Sequence, residues 1–423
     1  SNYGKYISQA IQSVLNQTYK NIEILIIDDF SSDNSKKIIK KYVSNPKIKI
    51  IFNKKKIGLL KSSNIAIKAS KGEFIIRLDA DDYFDQNLIS IFIKKIKKNI
   101  NSAFIYSDYY EVNKFSQVLK KVKQINISSG SKIKDRPILA ACCLIRKSLL
   151  ISVGLYDESF TRQDGYDFWY KIINEYSFSY VPKALFYYRR HSKNLTKNLM
   201  RLFKTRSEIL KKYANKKKES TKNSLIIPVR GYELDKKNYL KKIKNKPIIF
   251  HTIDVATKVK NIDKIILSCA DSKLLRICKK KYRGKILYHK RKTDEALLNQ
   301  NFRTSLLSAL KKFNLNPDNL VILTPEYPKK KNFYIEQALN KMNLHNLDKI
   351  ISTTYDVDHN FYQYVKNGIK LISNDNQKLL RYEKKLILKE TGGIVVFNYK
   401  SFKQNKIKKI SNVIIDERSA YKI

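Results

Sequence analysis

The chain has 423 residues and carries 86 Lys and Arg against 37 Asp and Glu, a formal charge of +49, with 43% hydrophobic and 11% aromatic residues. That apolar content excludes a disordered polybasic tail as a description of the whole, and at about 100 to 200 residues per domain the length predicts two or three domains. No run approaches the roughly 18 apolar residues that a bilayer span needs, and no basic-then-apolar leader is visible, so the expectation is a cytoplasmic protein.

Taken in chain order, Ile7, Ala10, Ile11, Val14 and Leu15 fall at helical spacing and predict a helix over 6–17. A strand over 22–27 follows and ends in Asp28 and Asp29. Then come a helix over 35–43, a strand over 48–52, a helix over 60–69 and a strand over 74–78 that runs into Asp79, Ala80, Asp81 and Asp82. A helix over 86–97 closes this run. Around 199–223 the pattern changes to one basic helix and then "ANKKKESTKN", without apolar periodicity, which marks a domain boundary. The alternation restarts with strands over 224–229, 264–268, 285–288 and 319–323 and helices over 247–258, 273–281 and 301–313. The fold class read from this is α/β: two sheet domains of parallel strands with helices on both faces, over 1–198 and 224–423, joined by a basic helix and linker over 199–223.

The positive charge is spread over clusters at 54–56, 94–98, 216–218, 279–281 and 329–331. Such dispersal fits a compositional bias toward Lys better than one nucleic-acid-binding patch, and no nucleic-acid motif accompanies it. Weak attraction to an anionic membrane face is a secondary consequence. Cys142 and Cys143 are adjacent, while Cys269 and Cys278 stand apart without metal-ligand spacing. All four read as buried thiols.

Carboxylates at the carboxyl end of a strand sit where such sheets bind ligands, and a divalent cation is commonly held by one or two of them plus substrate phosphates. An Asp-x-Asp also serves simply to start the next helix. "YISQAIQSVLNQTYKNIEILIIDDFSSDNS", "GLLKSSNIAIKASKGEFIIRLDADD", "VGLYDESFTRQDGYDFWYKI" and "YYRRHSKNLT" together resemble, in order over about 195 residues, the family 2 glycosyltransferases of the GT-A fold. The resemblance implies that Asp28 or Asp29 contacts the base or ribose of a nucleotide sugar. It further implies that Asp79 holds ribose or metal, that Asp81 ligates Mn2+ or Mg2+, and that His191 is either a third metal ligand or an ordinary loop histidine. It implies an inverting transfer to a glycan or lipid-linked acceptor in surface polysaccharide synthesis, with Asp164 as general base and Asp167 as its rival. The usual Glu-Asp pair is here Gln163 and Asp164, followed by Gly165. Trp169 is expected to pack beneath this motif. The family's first strand is missing ahead of "SNYGKYIS", which suggests a fragment.

In the second half, "SLIIPVRGYELDKKNYLKKIKNKPIIFHTI" places a strand before a basic, glycine-containing loop able to cradle phosphates. With "IDKIILSCADSKLLRICKKKY", "NLVILTPEYP", "TGGIVVFNYKSF" and "IDERSAY", it resembles cytidylyltransferases of the CMP-sialic acid synthetase type. That resemblance implies CTP and an acidic sugar as ligands, with Arg230, Lys237 and Asn238 in the loop and Asp416 at a metal. Tyr232, Glu233 and Leu234 replace the usual Gly-Ser-Lys, Thr324 replaces a Gln, and Ile414 replaces the metal-binding partner of Asp416. An active cytidylyltransferase and a diverged, inactive domain are both compatible with these departures. The alternatives to a glycosyltransferase are a non-catalytic binding module and a protein whose only active half is the nucleotidyltransferase.

Overall fold

The computed structural model describes residues 1–124, 126, 142–173, 175–191, 198–217, 220–230, 238–292, 302–356, 362–365, 368–371 and 387–423. The chain divides into two compact units, Ser1–Asn198 and Leu199–Ile423. Both are α/β, as the alternation predicts.

In the first unit the sheets are mixed rather than wholly parallel. Strands Ile24–Asp28 and Ile48–Phe52 form a parallel pair of their own, in register from Ile24 opposite Ile48 to Asp28 opposite Phe52. Helices Ile7–Leu15 and Ser35–Lys40 supply Ile11 and Ile39 to the core around Ile26. A second sheet is built around the long strands Ser102–Val112 and Ser177–Arg189, which run parallel to each other. Leu144–Arg146 lies antiparallel to the first of these and Tyr83–Phe84 antiparallel to the second. The strand expected over 74–78 shortens to Phe74–Ile75. Beyond it, among the described residues, Cys142 N–H donates to the Arg77 carbonyl at 3.3 Å. Trp169 is 2% exposed and packs on Phe178 at 5.6 Å, in the core as expected.

The second unit holds a seven-stranded sheet. Its order is Leu287–Lys290, Lys264–Cys269, Asn223–Val229, Asn319–Leu323, Ile387–Asn398, Lys349–Asp356, Ile410–Ile414. The first four strands are mutually parallel, and Ile387–Asn398 is antiparallel to both of its neighbours. Asn223–Val229 alternates between two cores: Leu225, Ile227 and Val229 face one, Ile226 the other. Burial on both faces explains its continuous apolar run. Helix Leu199–Lys216, expected as part of a linker, belongs to this unit. Its Leu202, Phe203, Ile209 and Leu210 are buried, and Phe203 meets Tyr334 of helix Asn332–His345 edge-on at 6.0 Å. All four cysteines are buried free thiols, as read from their spacing.

Candidate active site

The first unit draws two distant sequence motifs together through Arg77. This residue sits in "FIIRLD", a run too apolar to carry a charge unless the fold pairs it. Its Nε lies 3.2 Å from Asp79 Oδ1, while its Nη1 donates to Asp164 Oδ2. The two carboxylates raise the guanidinium pKa well above its ordinary value against the opposing effect of burial. Asp79 is pushed up by burial; Arg77 opposes this, and Asp81 and Asp164 add to it.

Asp164 is the first residue of helix Asp164–Ile172, and Gln163 before it adopts a left-handed conformation at φ 61°. A non-glycine residue there is uncommon and costs backbone energy. The turn delivers the Asp164 carboxylate to Arg77. Asp167 lies one turn further in, is 2% exposed, and has Lys171 Nζ at 3.8 Å. The structure thus separates the two rival aspartates: one shares a cation with the acidic run, the other is in the interior.

Asp81 and His191 meet across 110 positions of sequence, Nε2 to Oδ2 at 2.9 Å. Tyr6 stacks on the imidazole at 5.6 Å and Tyr3 meets it edge-on at 5.7 Å. These rings, with Asp33, Phe115 and Arg190, line an open cleft of about 940 Å³. Arg189 braces the segments around it. Its guanidinium donates to the Asp81 carbonyl at 2.7 Å, the Ser116 hydroxyl at 3.0 Å and Gln9 Oε1 at 2.6 Å, and its own N–H donates to Asp82 Oδ1 at 2.7 Å. One buried side chain therefore ties the acidic run, the first helix and the turn at 113–116. Burial, with Asp81 and Asp79 close by, pushes the Asp82 carboxyl well above the usual range despite Arg189.

One carboxylate oxygen and one imidazole nitrogen on converging segments fit Mn2+ or Mg2+, for which a few protein donors suffice when a diphosphate supplies the rest. Among the described residues there is no group of three or more acidic, His or Cys side chains that could hold a metal ion without such help. Asp28 and Asp29 are buried and held by donors from the loops that follow strands Ile24–Asp28 and Ile48–Phe52. Asp28 Oδ2 accepts from Ser31 N–H at 3.1 Å. Asp29 accepts from Ile57 N–H at 2.8 Å, Gly58 N–H at 3.0 Å and Asn53 Nδ2 at 3.1 Å. Burial would raise its pKa, but these donors outweigh it and hold the carboxyl below its usual range. Gly58, at φ 93°, gives the loop a conformation open to glycine.

In the second unit the strand order reverses between Asn223–Val229 and Asn319–Leu323, the point where such sheets bind ligands beyond their carboxyl ends. Arg230 follows the first of these strands and Thr324 the second. Lys237, Tyr232, Glu233 and Leu234 lie outside the described residues, and Asn238 accepts from Leu240 N–H at 3.0 Å to start a turn. Thr324 Oγ1 donates to the Gly392 carbonyl at 3.0 Å. Asp416 is occupied within the protein: Tyr334 Oη donates to Oδ2 at 2.8 Å, Ser419 Oγ to Oδ2 at 2.7 Å and Ser419 N–H to Oδ1 at 3.1 Å. The sequence reading missed Lys330, which is 3% exposed and donates 2.6 Å bonds to the carbonyls of Thr324 and Tyr327. Burial drops its pKa from 10.5 to about 7, with Glu326 opposing.

Residues 1–154 match the family model described as glycosyl transferase family 2, and residues 224–398 match the one described as cytidylyltransferase. The UDP-Glc:alpha-D-GlcNAc-diphosphoundecaprenol beta-1,3-glucosyltransferase WfgD of Escherichia coli is 28% identical over 237 residues, 55% of this chain and 92% of that protein. Chondroitin synthase of Escherichia coli is 24% identical over 194 residues, 46% of this chain; the chain spans only 28% of that protein's length. The crystal structure of Staphylococcus aureus TarS 1–349 with UDP aligns over 91% of this chain and 96% of that one, at TM-score 0.43 and 14% identity, a likeness too low to carry weight. No described helix is long and apolar enough to cross a membrane.

Proposed function

Because this chain joins a family 2 glycosyl transferase region to a cytidylyltransferase region, we propose that its first unit transfers a sugar from a nucleoside diphosphate sugar to a hydroxyl of a lipid-diphosphate-linked glycan, with inversion, in surface polysaccharide synthesis. The observation that supports this reading most directly is the shared guanidinium of Arg77, which unites Asp79 of the donor-side motif with Asp164 of the acceptor-side motif. The lipid-linked acceptor is suggested by the acceptor named for the Escherichia coli glucosyltransferase.

In this mechanism the acceptor oxygen attacks the anomeric carbon while Asp164 takes its proton, and the bond to the diphosphate breaks with the electron pair leaving on the nucleotide. Attack opposite the leaving group inverts the centre. Arg77 aims Asp164 and fixes its distance from the donor side. Asp81 and His191 would hold Mn2+ or Mg2+, which when bound neutralises charge developing on the diphosphate. Tyr3 and Tyr6 line the cleft beside His191, and Arg190, ion-paired with Glu111, lines it too. The deciding experiment incubates the purified chain with UDP-, GDP-, dTDP- and CMP-sugars and Mn2+ and follows nucleotide release. Turnover that is lost in Asp81→Asn supports the proposal; no turnover of any donor leaves a binding module.

A second reading for the other unit is cytidylyl transfer from CTP to an acidic sugar. It is favoured by Arg230 at the point where the strand order reverses. Pyrophosphate release from CTP in the presence of acidic sugars tests it.

A further inference from the structure

We propose that the hairpin of strands Ser102–Val112 and Val118–Val122 docks the first unit on an anionic lipid surface, so that the cleft opens toward a membrane-held acceptor; this rests on the acceptor reading above. Residues 113–124 read NKFSQVLKKVKQ, with four lysines and no acid. Phe115 is 65% exposed, Val118 54% and Leu119 42%, an apolar group confined to one hairpin end. Lys114, Lys121 and Lys123 of this segment are exposed, as is Lys5. Lys114 Nζ lies 4.8 Å and Lys5 Nζ 5.9 Å from the Phe115 ring. An aromatic ring among cations suits the boundary between headgroups and acyl chains, where apolar insertion and attraction to anionic lipid act together.

The tip is held rigidly rather than left loose. Asn113 Oδ1 accepts from Phe115 N–H at 2.9 Å and Gln117 N–H at 3.1 Å, and Arg189 grips the Asn113 carbonyl at 3.1 Å. Phe115 is thus presented outward by the same guanidinium that supports Asp81. Phe115 and Lys114 also line the cleft with His191, so the lipid-facing surface is continuous with the donor site. Lysines alone would serve to protect the strand Val118–Val122, which among the described residues has a partner on one side only, from pairing with another chain. Edge protection does not account for Phe115, Val118 and Leu119, which make an exposed edge more prone to association.

The test is flotation of the full chain with phosphatidylcholine vesicles, with and without phosphatidylglycerol. Binding should require the anionic lipid and weaken at least about fivefold in each of Lys121→Glu and Lys123→Glu. Leu119→Ser should weaken it further, while charge reversal at Lys279, Lys280 and Lys281 should cost much less. In Phe115→Trp, the new indole emission should shift to shorter wavelength on anionic vesicles. Equal losses from the hairpin and from Lys279 to Lys281, or an unshifted indole on bound protein, would overturn the proposal. Transfer to a water-soluble acceptor, measured in Leu119→Ser and Lys121→Glu, separates the two readings. Retained transfer with unchanged vesicle binding defeats the docking surface alone, and failure of the unaltered chain to glycosylate a detergent-dispersed lipid-diphosphate-linked acceptor while it uses the water-soluble one defeats the acceptor reading.

Discussion

Arg77 donates to Asp164 across 87 positions of sequence while its Nε stands 3.2 Å from Asp79. The guanidinium side chain is 18% exposed and the Asp164 side chain 13%, so both charges depend on each other more than on water. Removing one member of such a group leaves the others unpaired. Arg77→Met is therefore expected to lose roughly 3–5 kcal/mol of stability together with transfer. Arg77→Lys should recover most of the stability and little of the rate, because one ammonium cannot serve two carboxylates in fixed directions. Urea unfolding midpoints and kcat for the pair of variants check this.

The two candidate bases are expected to part cleanly. Asp164→Asn keeps the shape of the helix start but cannot take a proton, and should lower kcat by about 10²- to 10⁴-fold with little change in donor affinity. Asp167→Asn disturbs a residue that is 2% exposed and faces Lys171. Its effect should appear in the unfolding midpoint before it appears in kcat. A larger kcat loss in Asp167→Asn would reverse the assignment.

The acidic run was legible because an apolar strand ended in Asp79, Asp81 and Asp82, a pattern local to a few residues. Arg77 and Arg189 were not, because among 86 basic residues neither carries a local mark of its burial. Only their position in otherwise apolar or aromatic runs, "FIIRLD" and "FYYRR", hinted that each would need acceptors inside the fold. The alternation of strands and helices revealed both α/β units but not the antiparallel pairing of Leu144–Arg146 and Tyr83–Phe84, since direction is set by long-range contacts. Asp416 is the opposite case: its motif was readable, yet its bonds to Tyr334 and Ser419 could be seen only once those residues were placed.

Metal dependence is expected to reside in Asp81 and His191 together. Titration of Mn2+ by its paramagnetic resonance signal, with nucleoside diphosphate present, should show affinity weakened about tenfold or more in Asp81→Asn and in His191→Ala. The double variant should lose little beyond the worse single one, because both side chains serve one ion. Asp416→Asn should leave Mn2+ affinity unchanged and lower stability instead, through its bonds to Tyr334 and Ser419.

Lys330 makes the second unit's stability depend on pH in a direction opposite to that of a paired lysine. Its pKa falls from 10.5 to about 7 in the folded protein because burial disfavours the ammonium. Between those values the unfolded chain binds more protons than the folded one, so stability rises with pH across the window. The cost is complete below about 7, where the folded protein must bury the charge, and vanishes above 10.5. Lys330→Met removes the titrating group and keeps its length, at the expense of the bonds to Thr324 and Tyr327. The difference in unfolding midpoint between the variant and the unaltered chain should therefore favour the variant near pH 7 and shrink or change sign as pH approaches 10.5. Measuring only the difference cancels the many other lysines and tyrosines that titrate in both proteins. A difference independent of pH would mean that Lys330 stays charged in the fold, its ammonium carried by the two carbonyls and Glu326.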